Sequence, residues 1–286
     1  MPIDPKPDHY HAKADFGSVY NQPDPRPYYR TLGMLGYEIP AHGARVFDRL
    51  LDEMGGREGK TVLDVCCGYS ANAALLNYDV QLPELYEHYA SLEDAADDAV
   101  TELDRRWFAA RRRRDAVTMV GLDVADNAVR YATSVGLLDA DVVADLEAAP
   151  PDEEAKKAFA TADLVGVTGG IGYIGQKTFQ AILAAADEPP WVAALSLRWV
   201  DFSPILETLD DLGLVTEHLE GYCVPQRRFA HEPEREAALA SLHERGVDPA
   251  LELQLGAHCA ELYVSRPPDA ARQRPISEVL GYLAAG

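Results

Sequence analysis

The residues able to do chemistry gather at the ends of short apolar runs. Thr61-Val62-Leu63-Asp64-Val65-Cys66-Cys67-Gly68-Tyr69-Ser70 reads as a buried strand entering a tight turn, and Ala71 to Leu76 as the start of an apolar helix. Gly68 lets the backbone turn sharply or approach a ligand closely. Ser70 is placed to cap the helix, whose first amides would then face whatever lies over the turn. A spaced-glycine loop would carry glycine at 66, 68 and 70; here only Gly68 is present, with Cys66 and Ser70 as small substitutes. The glycine pattern alone leaves a ligand loop and an ordinary strand-to-helix turn both open.

Three further runs end the same way. Val117 to Leu122 leads into Asp123, a carboxylate able to accept hydrogen bonds from both hydroxyls of a ribose, or else to cap the next helix. Ala140 to Glu147 reads as a strand carrying Asp145-Leu146, an acid for the exocyclic amine of adenine beside an apolar residue for one face of the base. Asp163 to Thr168 runs into Gly169-Gly170-Ile171-Gly172-Tyr173-Ile174-Gly175. Such a loop suits close backbone approach to a ligand, with a flexible connection as the alternative.

The elements that must hold these residues follow from periodicity. Residues 1–24 form a polar, proline-containing arm with Tyr10, Phe16 and Tyr20. Asp24-Pro25 starts a helix bearing Tyr28, Leu32 and Leu35, and a second runs from Ala41 to Met54, closed by Gly55-Gly56. Tyr28 and Tyr29 either pack this pair onto a sheet or form a lid over a ligand. Residues 77–116 are too long for a simple crossover and predict an insertion of one or two helices, with Arg111 to Arg114 opposing a helix dipole. Beyond it come a helix over 176–186, a strand Trp191 to Arg198, a helix from Pro204 to Leu212, a strand at Tyr222 to Val224, a helix over 233–245 and a strand His258 to Val264. Strands alternating with helices, then strands clustered at the end, predict an α/β fold: a mostly parallel sheet with antiparallel C-terminal strands. The expected organisation is an arm and helical lid over 1–56 and one body over 57–286.

Composition narrows the function. Twenty-six basic against 47 acidic residues give 26 − 47 = −21, a field that repels a phosphate backbone and disfavours nucleic acid as partner. Cys66, Cys67, Cys223 and Cys259 match neither a metal signature nor a disulfide framework and read as small buried residues in a reducing cytoplasm. Adjacent Cys66 and Cys67 point differently and do not easily serve one site. Met1 to Lys6 lacks the apolar core of a signal peptide, and no apolar run approaches a membrane span. The expectation is an intracellular protein with no membrane partner; oligomeric state is not written in the sequence. His42, His218 and His258 stand alone and read as structural.

Taken together, Val62-Leu63-Asp64 with Gly68, Gly121-Leu122-Asp123 before Asn127-Ala128, Asp145-Leu146 and Leu164 to Gly170 resemble the successive motifs of class I S-adenosylmethionine (SAM) dependent methyltransferases. The resemblance covers about residues 45–200 and implies a Rossmann-like fold with SAM as cofactor. It implies that Gly68 and Tyr69 lie along the methionine part of SAM and that Asp64 is also a cofactor-binding residue. Asp123 would bind the ribose, Asp145 and Leu146 the adenine, and Thr168-Gly169 the region of the sulfonium. A narrower set, Asp24-Pro25-Arg26-Pro27-Tyr28, Cys67-Gly68-Tyr69 with Asn72 to Leu76, and Thr168 to Tyr173, resembles a bacterial group that includes azetidine-2-carboxylate synthases. These cyclise SAM on its own amine and release methylthioadenosine. That resemblance implies a pocket sealed by Arg26 and Tyr28, with Tyr173 and Ser196 as catalytic groups holding SAM bent; Asp145 departs from the asparagine expected there. Methyl transfer to a small metabolite is the leading expectation. Cyclisation of SAM is the alternative, and a non-catalytic SAM-binding regulator or a nicotinamide dehydrogenase is weaker.

Overall fold

The computed structural model describes residues 17–284. The arm expected over residues 1–24 lies outside them as far as residue 16, Tyr10 and Phe16 included. Seven strands form one sheet: β1 (Thr61–Val65), β2 (Thr118–Asp123), β3 (Ala140–Val143), β4 (Leu164–Thr168), β5 (Trp191–Leu197), β6 (Val215–Arg228) and β7 (Ala257–Arg266). Their spatial order is β3-β2-β1-β4-β5-β7-β6. The first five are parallel, and β7 returns antiparallel between β5 and β6. This is the Rossmann-like sheet with antiparallel C-terminal strands that the pattern of runs predicts.

Burial explains the strand sequences. Every residue of β1 and β4 is buried, as a central parallel strand covered on both faces requires. The strand order reverses between β1 and β4, which opens a crevice at their carboxyl ends. All the sequence motifs end there.

Helices α1 (Gly17–Tyr20), α2 (Arg26–Met34) and α3 (Ile39–Glu53) precede the sheet. α3 buries Ile39, Val46, Phe47, Leu50 and Leu51, each worth about 1.5–3 kcal/mol on removal from water. The Phe47 ring lies so close to β4 that a Cβ on Gly166 would sit 2.5 Å from it, and Gly43 meets the Thr168 methyl in the same way. α3 is therefore a helix of the core. Asp24 Oδ1 accepts from the Arg26 amide at 2.9 Å, and Pro25 occupies the position before the first turn of α2.

After α4 (Ala71–Asn77), the insertion consists of two helices, α5 (Leu82–Ser91) and α6 (Asp97–Ala109). The arginines that follow α6 are used locally: Arg111 lies over the Trp107 ring, Arg112 bonds Tyr78 and Asp139, and Arg113 pairs with Asp115.

Three expectations are corrected. The third strand stops at Val143, because Asp145 Oδ1 accepts from the amides of Glu147 and Ala148 and folds the chain into an Asx turn. β6 is one long bulged strand that includes the short strand expected at 222–224. The chain also closes on helices Ala250–Leu255, Pro268–Gln273 and Ile276–Ala284, which the sequence reading did not anticipate. Ile276, Val279 and Leu280 bury one face of the last, a helical spacing that was legible.

Candidate functional site

The loop after β1 keeps the conformation of a spaced-glycine loop with one glycine. Cys66, Gly68 and Ser70 have φ of +58°, +52° and +57°, the three places where that loop would carry glycine. A left-handed residue with a Cβ costs about 1–2 kcal/mol, so the surrounding contacts must hold Cys66 and Ser70 there. Ser70 is consequently not the side-chain cap expected: its Oγ is buried without a hydrogen-bond partner, and only its carbonyl accepts, from Ala74. The amides of Cys66 and Cys67 both donate to the Leu122 carbonyl, which draws the loop against the end of β2.

There the loop meets Asp123. One carboxylate oxygen accepts from the Gly68 amide at 2.8 Å and the other from the Ala125 amide at 2.9 Å. Burial raises its pKa, and the backbone donors oppose the rise. A carboxylate offers about four lone-pair sites, so these donors do not exhaust its capacity to accept from groups such as ribose hydroxyls. Asp123 is thus an anchor of the loop that also lines the cavity.

Over the carboxyl ends of β1, β2 and β4 lies a cavity of about 690 Å³, in the range of small-molecule sites. Asp123, Asp145, Leu146, Tyr173, Thr168 and Gly169 line it, and the N-terminal segment contributes Tyr20, Tyr28 and Tyr37. The rings of Tyr20 and Tyr28 meet edge to face at 5.1 Å, and those of Tyr28 and Tyr37 at 6.5 Å. Burial pushes all three hydroxyls well up, so they stay neutral. Ring faces of this kind attract a cation.

The floor beneath them is polar. Asn72 Nδ2 donates to Asp64 Oδ1 and to Thr168 Oγ1, both at 2.8 Å. Asn72 Oδ1, Asp64 Oδ2 and, from β6, Gln226 Oε1 are buried without partners. Burial carries the Asp64 carboxyl up to about 7; the hydrogen bond from Asn72 opposes the rise and the Asp123 charge adds a little to it. Gln226 lies across Gly169, where a Cβ would stand 2.3 Å from its Nε2. Beside it Arg227 is bound through both terminal nitrogens by buried Glu234, which His258 approaches at 3.3 Å; Trp199 donates to the other His258 nitrogen. His258 is structural in this sense, one member of a buried charge network.

Tyr28, Asp123, Asp145, Leu146, Thr168, Gly169 and Tyr173 are therefore brought together around one cavity. Five other candidates stand outside its lining. Arg26 is nearly buried between Asp24, Asp97 and the carbonyls of Leu92, Glu93 and Ala95, and so ties α2 to the insertion. Asp64 stands behind Asn72. Gly68 gives its amide to Asp123. The Tyr69 hydroxyl donates to the Gln22 carbonyl at 2.6 Å and accepts from the Gln22 amide at 2.9 Å, fixing the N-terminal segment. Ser196 lies inside β5 with a buried, unpartnered hydroxyl, and no residue of β5 is in the lining of the cavity. Both Cys66 and Cys67 line the cavity, against the expectation that neighbours do not share one site; all four cysteines are free thiols. Tyr20, Tyr37, Asn72 and Gln226 were missed. The run of tyrosines at 20, 28, 29 and 37 was the available signal for the first two; nothing local marked Gln226.

No protein-family profile and no curated protein matches the chain. Solved structures resemble it at low similarity. A plantazolicin methyltransferase, BpumL, in complex with SAH, is 9% identical, with 91% of this chain and 95% of that one covered at a TM-score of 0.45. A TehB-like SAM-dependent methyltransferase from Corynebacterium glutamicum is 15% identical over 83% and 93%, at 0.42. EvdMO1 is 14% identical over 81% of this chain, at 0.41, and the chain spans 42% of that structure's length. These likenesses are low, and the fold assignment rests on strand order and register.

Proposed function

We propose that the chain is a SAM-dependent enzyme acting on a small molecule, by methyl transfer to a metabolite held in the cavity over β1 and β4. The observation that supports this most is that one cavity is lined both by Asp123, a carboxylate held at a strand end, and by three neutral tyrosines. The residues fit SAM: Asp123 for the ribose, Asp145 and Leu146 for the adenine, and Tyr20, Tyr28 and Tyr37 for the cationic end. SAM supplies an electrophilic carbon beside a sulfonium. The chain then has to hold a nucleophile in line with that carbon and exclude water, and such positioning supplies much of the acceleration.

A second reading has its own support. Asn72 Oδ1 and Gln226 Oε1 are buried acceptors without partners, set in the cavity wall near the tyrosines. They suit an ammonium or amine at the methionine end. In cyclisation the amine nitrogen would bond to the carbon next to sulfur, that carbon–sulfur bond would break, and the nitrogen would release a proton. Methylthioadenosine and a four-membered cyclic amino acid result.

Incubating the pure protein with SAM alone, followed by mass spectrometry, separates the two. Methylthioadenosine with the cyclic amino acid, above the rate without protein, establishes cyclisation. Bound but intact SAM leaves methyl transfer and directs the search to acceptors. Failure to bind SAM overturns both.

A further inference from the structure

Another cavity, of about 780 Å³, lies between α3, β6 and helix Ile276–Ala284, and shares no lining residue with the first. A bulge builds it. Between the paired positions His218–Tyr263 and Cys223–Glu261, residues 219–222 of β6 run opposite Leu262 alone. Bulges of this kind re-aim a side chain, and here the side chain is Tyr222. It lines the cavity, is 5% exposed, and its hydroxyl has no hydrogen-bond partner. Burial pushes that hydroxyl up to about 12 against the opposing Arg45 charge, so it remains a neutral donor.

Arg45 faces the same space from α3. It donates to His42 Nδ1 at 2.7 Å and to the Ala41 carbonyl, and among the described residues no carboxylate lies within ion-pair distance of it. Burial and the Arg45 charge carry His42 down to about 4, so at neutral pH the imidazole is uncharged. The acids of the wall are engaged elsewhere: Asp48 pairs with Arg57, and Asp52 faces Arg49 at 4.0 Å. Val224, Pro225 and Leu283 supply apolar surface. Donors and a cation whose nearby carboxylate, Glu38, stays beyond ion-pair distance therefore adjoin a hydrocarbon wall, in a chain whose net charge of −21 would otherwise repel an anion.

We infer that this cavity is a binding site for a small monocarboxylate with an apolar body. Its carboxylate lies between the Arg45 guanidinium and the Tyr222 hydroxyl, a charge-assisted pairing, and its hydrocarbon against Val224, Pro225 and Leu283. The site is independent of SAM chemistry and stands whichever reaction the first cavity performs.

The test is calorimetric titration of the full chain with octanoate, with octylammonium as the control of opposite charge. Octanoate is expected to bind saturably and octylammonium not. Arg45→Gln and Tyr222→Phe are each expected to weaken octanoate by about fivefold or more, the worth of one such hydrogen bond, with the unfolding temperature of each variant unchanged. Absence of saturable octanoate binding overturns the assignment. So does equal binding of octylammonium, or octanoate affinity that is the same in either variant as in the unsubstituted chain.

Discussion

Cys66 occupies a backbone conformation that favours glycine, and Gly170 on the neighbouring loop accommodates it. A Cβ on Gly170 would stand 2.8 Å from both Cβ and Sγ of Cys66. Gly170→Ala is therefore expected to cost about 1–3 kcal/mol by overpacking. Adding Cys66→Gly should recover most of that loss, since it removes the clashing atoms and relieves the left-handed strain. Denaturant unfolding of the two single variants and the double variant measures the coupling; simple additivity would show that the two loops do not press on each other. Asp64 offers a second residue-scale expectation. Burial foremost holds its carboxyl at about 7 in the folded chain, against 3.8 for the free group. Between those values the folded state keeps a proton that the unfolded chain releases, so Asp64 lowers stability as pH rises. The effect is absent below about pH 4 and complete above about pH 7, with an upper bound of about 4 kcal/mol. Asp64→Asn retains an acceptor for Asn72 and loses the titration. Its unfolding temperature relative to the unsubstituted chain should climb from about pH 4 to about pH 8 and then level.

At the scale of elements, α2 does two things with adjacent tyrosines. Tyr28 faces the cavity, while Tyr29 stacks on Tyr89 of α5 at 4.0 Å between ring centres. Packing and lid were alternatives for the pair; the helix aims the two rings differently, because neighbouring helical residues point about 100° apart. Arg26 completes the tie by reaching the carbonyls between α5 and α6. Arg26→Gln leaves those carbonyls and Asp24 short of donors and is expected to cost about 1–3 kcal/mol. Amide exchange should quicken across α2 and residues 82–97 while β1 stays protected. Uniform quickening in both would show that Arg26 acts on the whole fold and not as a local tie.

At the scale of the molecule, the cavity is assembled from segments far apart in the chain. The N-terminal tyrosines, the β1 loop, Asp123, the glycine loop after β4 and Gln226 of β6 all face it. A ligand bridging them stabilises the folded state by mass action, about 2.7 kcal/mol at one hundred times its dissociation constant. SAM is expected to raise the unfolding temperature of the chain, and Asp123→Ala to abolish that rise at the same concentration. A rise preserved in Asp123→Ala would remove the ribose assignment.

By itself the sequence determined the sheet, because apolar runs ending in Gly68, Asp123 and Gly169 carry their own burial and direction. It also placed Asp123 and Asp145 near strand ends, where alternation and turn chemistry are local. Asp145 and Leu146 reached the cavity even though the strand stopped short of them, since an Asx turn is likewise a local device. Which side chains close the cavity was decided by tertiary structure. Ser196 has the strand position of a site residue but stays outside the lining, and Arg26 has the charge of one but is bound to the insertion. Gln226 and Tyr222 owe their placement to irregular registers in β6. A bulge changes which face a residue meets without changing the composition around it, and only the partner strand reveals where the register slips.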